Sequence, residues 1–397
     1  MQQSFWKQYG KHVLVVLAVL SLIAAAIIGQ SGSKKADVDE YLPDILPQGA
    51  TATLIADRPA DEIYLYEVMQ DGSLFGYITF GQGKGYVGPM LVMVLWSKDG
   101  VCLDVQVPLH YETPSYYNKL DSQDHFAQYI GKSYNAEFLL GNGVDATSGA
   151  TRSSEGVNTG FLNGLYFMSQ KIDAFSDVSA PAKPIQITWQ VIALAVMLVL
   201  VFTIRMIPTL ARITALRFIS LFLAFMVIGV IISAPLSISN FAVWLVGFSP
   251  DISTNFYIYV LVFAVLGLAL IFGKNFYCFW MCPFCAIQEG AHFIGGSQVR
   301  PVTKRQLLFR NMRFVVLWLV LMLVLLMRNP SFAVFEPWST LFTLSGDVFS
   351  WILVVATVAA GFFIYNFWCH YICPVGAVLE IVLKVRRWFV GLLKKTV

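Results

Sequence analysis

The chain has 397 residues, 57% hydrophobic and 13% charged, with a mean hydropathy of +0.66. Soluble domains are about a quarter charged, so the composition excludes an ordinary soluble enzyme and points to a membrane protein. The formal charge of +3 hides a split: Ser31–Lys183 carries 10 Lys and Arg against 19 Asp and Glu, and the remainder carries 17 against 5. The acidic stretch has turn-rich, alternating sequence and the basic remainder holds the long apolar runs, so one water-soluble domain is joined to one membrane domain.

Residues 1–30 form an N-terminal membrane anchor built on Val13–Gly29. The length of that run favours an uncleaved anchor over a signal-peptide core followed by the small residues Ala24, Ala25 and Ala26. Residues 31–183 read as an α+β domain. Helices are predicted at Asp37–Ile45, Asp121–Gln128 and Glu155–Ile172, and strands at Ile63–Val68, Leu74–Thr79, Met90–Trp96 and Val101–Val107. Lys98-Asp99-Gly100 is a hairpin turn signal. Gly81, Gly83, Gly85 and Gly88-Pro89 predict a glycine-rich bend. Cys102, the lone cysteine of this domain, reads as a buried small apolar residue. Asp145-Ala146-Thr147-Ser148-Gly149-Ala150-Thr151 is a loop of small residues leading into a helix; such a start suits an anion such as phosphate or is a simple N-cap.

Residues 184–397 read as an all-α polytopic domain. With the anchor, about six spans are predicted: Val13–Gly29, Ile187–Ile204, Phe218–Ile232, Phe256–Gly273, Phe314–Met327 and Ser350–Trp368. Lys and Arg concentrate in alternate loops, and such loops face the cytoplasm. Both termini are therefore expected inside and the acidic domain outside a bacterial inner membrane. The tail Val375–Leu393 reads equally as an amphipathic helix on the inner leaflet or as one packed on its own protein.

Asn275-Phe276-Tyr277-Cys278-Phe279-Trp280-Met281-Cys282-Pro283 recurs as Asn366-Phe367-Trp368-Cys369-His370-Tyr371-Ile372-Cys373-Pro374. Thiols at i and i+4 share one helix face, and each proline stops the helix or opens a new one. Cys278, Cys282, Cys369 and Cys373 are expected to form one site at the cytoplasmic surface. Four sulfur ligands select an iron–sulfur cluster or zinc, with bare redox thiols as the other reading. Cys285 has no counterpart in the second copy, which has Gly376. Glu289 and Glu380 follow the two modules at matching positions and read as solvated helix ends, with proton acceptance during quinol oxidation as the other reading. His292 and His370 lie at the interface, and no span carries the histidines of a transmembrane haem.

Asp145, Ser148, Gly149, Ala150 and Thr151 resemble the flavinylation motif of the FMN-binding subunits of Na+-translocating quinone reductase and Rnf complexes. The resemblance implies covalent FMN, joined through a phosphoester to Thr151 by a flavin transferase. Gly85 and Gly88, within Gly85-Tyr86-Val87-Gly88-Pro89, and His110, Glu112 and Thr113, within His110-Tyr111-Glu112-Thr113-Pro114, resemble two further patches of that domain. With the paired cysteine motifs, the whole chain is similar to the NosR-type membrane flavoproteins. That likeness implies electron transfer between quinol or cytoplasmic donors and an extracytoplasmic acceptor, with lipid, quinone and a periplasmic redox protein as partners and no nucleic acid. Cytoplasmic ferredoxin-like motifs typical of the nitrous-oxide form are not found within these 397 residues. The alternatives are a redox-sensing or assembly factor for a periplasmic reductase, which would need an output domain, and an ion pump, which would need acidic residues within spans; the sequence shows neither.

Overall fold

A computed structural model describes all residues except 1, 33–37, 60, 86–87, 113, 179–186, 250–251, 254, 296–308, 310, 345 and 397. Helix α1 (Gln2–Gly32) leads into a five-stranded antiparallel meander of strands β1 (Ala50–Arg58), β2 (Ile63–Gln70), β3 (Ser73–Lys84), β4 (Pro89–Ser97) and β5 (Cys102–His110), paired in sequence order. Helix α2 (Pro114–Ser122) follows, and then α3 (Thr151–Lys171) lies across one face of the sheet. Its Phe161 packs on Trp96, whose indole donates to Thr79 Oγ1 at 3.0 Å. The opposite face is covered by Val38, Leu42 and Ile45, packed over Ile78, Phe80 and Leu91. Eight of the nine residues of β4 are buried, as expected for a strand covered on both faces.

The glycines at 81 and 83 are not in a bend. They lie inside β3 and face Gly160 and Gly156 of α3; a Cβ on either would overlap a carbonyl oxygen of the helix. Missing side chains let helix backbone rest on strand backbone. Gly83→Ala is therefore expected to lower stability by about 1–3 kcal/mol through overpacking, measurable as a reduced melting temperature. An unchanged melting temperature would show that the helix is free to lift away.

The predicted helix over Asp121–Gln128 is displaced. The chain is helical at Pro114–Ser122, bends at Asp124 (φ +51°), and makes a short 3₁₀ turn at Phe126–Gln128. Cys102 is fully buried, and burial pushes its thiol up to about 12.

The C-terminal region is helical: α4 (Trp189–Met206), α5 (Thr214–Ala224, continued as a π-helix to Ile231), α6 (Ile238–Leu245), α7 (Phe256–Phe272), α8 (Pro283–Gly295), α9 (Met312–Met327), α10 (Pro337–Thr343), α11 (Val348–Phe363), α12 (Phe367–Tyr371) and α13 (Pro374–Thr396). Val13–Gln30, Trp189–Met206 and Thr214–Ile231 are long and apolar enough to cross a membrane unaided. Phe256–Phe272 and Met312–Met327 are shorter apolar helices, and α10 and α11 form a pair bent by 103°. Large apolar side chains such as Leu14, Val199, Phe222 and Val355 are exposed along these helices. Apolar surface of this extent marks a face for membrane or protein contact, and the apolar helices fit a membrane.

The cysteine repeat is the visible part of a larger one. The elements α5, α6, α7 and α8 recur in order as α9, α10, α11 and α13. Arg217 in the first turn of α5 pairs with Glu289 of α8, and Arg313 in the first turn of α9 pairs with Glu380 of α13. The copies interlock. Helix α8 packs along α11 of the other copy, with Gln288 Nε2 donating to Thr357 O at 3.0 Å. Reciprocally, Arg386 of α13 donates to the last carbonyls of α7, Leu270 at 2.7 Å and Ile271 at 3.0 Å.

Candidate cofactor sites

The loop over Asp145–Thr151 is held from its backbone. Gln128 accepts from Asp145 N at 2.7 Å and donates to Asp145 O at 3.2 Å. Gln123 reaches Ser148 O, and Lys119 Nζ reaches Gly149 O, each at 3.4 Å. Gly149 takes φ +73°, and a Cβ there would stand 2.7 Å from Lys119 Nζ. Ala150 is buried, and Asp145, Ser148 and Thr151 are exposed. Thr151 is the first residue of α3, whose N-terminus has no side-chain cap, so free backbone N–H groups are presented beside it.

The other predicted residues gather on the same side. Buried Glu112 accepts from buried Ser153 Oγ and presses on Gly85, whose N–H donates to Gly88 O at 2.9 Å. His110 stacks on Tyr117 with centroids 3.7 Å apart, and its buried Nδ1 has no partner among the described residues. Burial lowers the His110 pKa. Thr113, Tyr86 and Val87 lie outside the described residues. An uncapped helix start, Lys119, an exposed threonine hydroxyl and an orphaned imidazole nitrogen together fit a phosphate-bearing cofactor. Sequence reading missed Lys119, Gln128 and Ser153, which carry no motif of their own.

The cysteines occupy a second site. Cys278, Cys282, Cys285, Cys369 and Cys373 line one cavity of about 350 Å³, together with Asn275, Arg313 and Trp338. Among the described residues no three His, Cys, Asp or Glu side chains are grouped to hold a single metal ion. The five thiols share the wall of one space. Gly376 N donates to Cys373 Sγ at 3.3 Å. The indole N–H of Trp338, on the cavity wall, has no partner among the described residues. Thiols, a guanidinium and an unspent donor fit an anionic iron–sulfur cluster, whose potential depends on such hydrogen bonds.

The depth of this cavity departs from the sequence expectation. Leu236 and Trp338 line it from the ends of α6 and α10, and both short helices run from there to the soluble domain. At the far end of α10, Thr343 Oγ1 and Tyr116 OH are hydrogen-bonded at 3.1 Å. Past α6, Ser249 O accepts from Lys84 Nζ at 2.6 Å and Phe248 stacks on Tyr111. From Trp338 to Thr343 is five residues, or roughly 7.5 Å of helical rise. The thiols therefore do not lie a full membrane thickness from the soluble domain. The modules follow the ends of α7 and α11 but do not close the membrane region: at Pro283 and Pro374 the chain starts new helices, and Pro283 reaches Gly229, late in α5. Glu289 and Glu380 are accordingly not solvated helix ends but partners in ion pairs, and Glu289 is only 6% exposed.

A family model for an FMN-binding domain matches residues 85–165, and one for a 4Fe-4S binding domain matches residues 254–301 and 347–396. These matches fall on the two sites. Protein NirI of Paracoccus denitrificans is 30% identical over 136 residues, covering 32% of this chain and 20% of NirI. Regulatory protein NosR of Pseudomonas aeruginosa is 27% identical over 125 residues, covering 30% and 18%. The chain is thus similar to the NosR-type flavoproteins. The methylamine utilization ferredoxin-type protein MauN of Methylobacillus flagellatus is 26% identical over 130 residues, covering 31% of this chain and 44% of MauN. The alignments span about a fifth of the length of NirI and NosR. The chain combines an FMN-binding domain with a 4Fe-4S binding region, a pairing that supports an electron-transfer or redox regulatory role.

Proposed function

We propose that this chain passes electrons from quinol, or from cytoplasmic donors, to an acceptor outside the bacterial inner membrane. In this reading Thr151 carries FMN through a phosphoester, attached by a flavin transferase, and Cys278, Cys282, Cys369 and Cys373 ligate one cluster. A bound flavin exchanges electrons singly or in pairs, which suits a junction between quinol and one-electron centres. Lys119 and the α3 N-terminus neutralise the FMN phosphate. His110 donates or accepts at the flavin from Nδ1. Arg313 offsets the negative charge of the thiolates, and Trp338 donates from Nε1 to a sulfur. The observation that carries the reading is α10, which joins the thiol-lined cavity to the docked FMN domain.

Anaerobic addition of a short-chain quinol to the purified full chain is expected to bleach the flavin absorbance, in protein containing iron and acid-labile sulfide. A flavin that dithionite reduces and quinol does not would remove quinol as the donor. The regulatory reading draws on the similarity to the regulatory protein NosR. It predicts a single reduction without sustained turnover when an external one-electron acceptor is supplied.

A further inference from the structure

Between α5 and α8 lies a groove of about 520 Å³, separate from the thiol cavity. Phe218, Phe222, Phe225, Ile287 and Phe293 make it apolar, and Glu289 is the sole ionisable residue on its wall. The donors to Glu289 are unevenly shared. Arg217, Cys285 Sγ at 3.6 Å, Tyr365 OH at 3.3 Å and Asn366 Nδ2 at 3.5 Å all go to Oε1. Oε2 receives no donor among the described residues. A carboxylate oxygen at an apolar site is costly unless it accepts a hydrogen bond, so the groove calls for an apolar ligand that brings a hydroxyl.

We propose that this groove holds the head of a quinol, whose hydroxyl donates to Glu289 Oε2. Three observations favour that occupant over a lipid chain. An acyl chain has no donor for Oε2. A fatty-acid or phosphate headgroup would bring like charge to a carboxylate. The other oxygen of the same carboxylate contacts Cys285, which lines the thiol cavity, so the ligand head sits one side chain from the redox site. The inference rests on the electron-transfer reading above and gives its donor a place.

A Cβ added at Gly290, on the groove wall, meets nothing within 4 Å, and the same holds for Gly267 of α7, which is not on that wall. Gly290→Leu therefore fills the groove without moving backbone, and Gly267→Leu serves as the control. Purified full chain in detergent is photolabelled with an azido-benzoquinone carrying a decyl tail, and labelled peptides are mapped by mass spectrometry. Label is expected on residues 218–225 and 286–293, displaced by unlabelled decylquinol. Gly290→Leu should cut it at least about tenfold, the equivalent of one lost charge-assisted hydrogen bond, and Gly267→Leu should leave it unchanged. Label elsewhere, label that survives Gly290→Leu, or displacement by oleate as effective as by decylquinol would overturn the proposal. If quinol bleaches the flavin equally well in Gly290→Leu, the groove is wrong and the electron-transfer reading stands. If the groove is labelled as expected but quinol leaves the flavin oxidised, the site stands and the donor assignment falls.

Discussion

Thr151→Ala is expected to abolish the ultraviolet fluorescence of the denatured chain on a gel, with the protein still folded and inserted. The position is exposed, so the substitution itself costs within about 0.5 kcal/mol. The structure sharpens the choice of acceptor. Of the hydroxyls between Thr147 and Ser154, Thr147, Ser153 and Ser154 are buried. Ser153 is taken by Glu112, and Ser154 bonds Thr147 N and Ala150 O. Only Ser148 and Thr151 are open to a transferase. Ser148→Ala should keep the fluorescence. A band that persists in Thr151→Ala and vanishes in Ser148→Ala or Ser153→Ala would move the attachment.

The second large effect concerns the thiols. Serine at any one of Cys278, Cys282, Cys369 or Cys373 is expected to remove the same iron and sulfide, and with them the reduction of FMN by quinol. Two thiols from one copy cannot complete a four-sulfur site; two from each can. Cys285→Ser should be milder, because Cys285 has no counterpart in the other copy and already contacts Glu289. Independent loss of half the iron from each copy would mean two sites. Full activity in all four variants would make the cysteines structural.

Much of this was legible in the sequence, and the misses have physical causes. Strands β2 to β5 follow from runs of β-branched and aromatic residues between turn signals. Strand β1 escaped because it is an exposed edge, with Ala50, Ala52 and Ala56 in place of such a run. The glycines at 81 and 83 were seen, but a sequence does not show that a helix backbone rests on them. The four cysteines were grouped by their repeat. Their depth was hidden because α6 and α10, at eight and seven residues, are too short to register as spans. Glu289 and Arg217 are 72 residues apart, and nothing local marks them as a pair; Arg217 looked like one more cytoplasmic charge.

The interlocking of the two copies has a bearing on biosynthesis. The thiols of the first copy emerge from the ribosome about ninety residues before those of the second, and under the proposed ligand set they supply half of the sulfurs. Helix α8 also needs α11 beside it, and α7 needs the end of α13. The first half of the membrane region therefore waits, incomplete, until the second half is threaded into the bilayer. If the four thiols hold one inorganic centre, as proposed, it is completed only after translation has passed Cys373 and the two copies have come together.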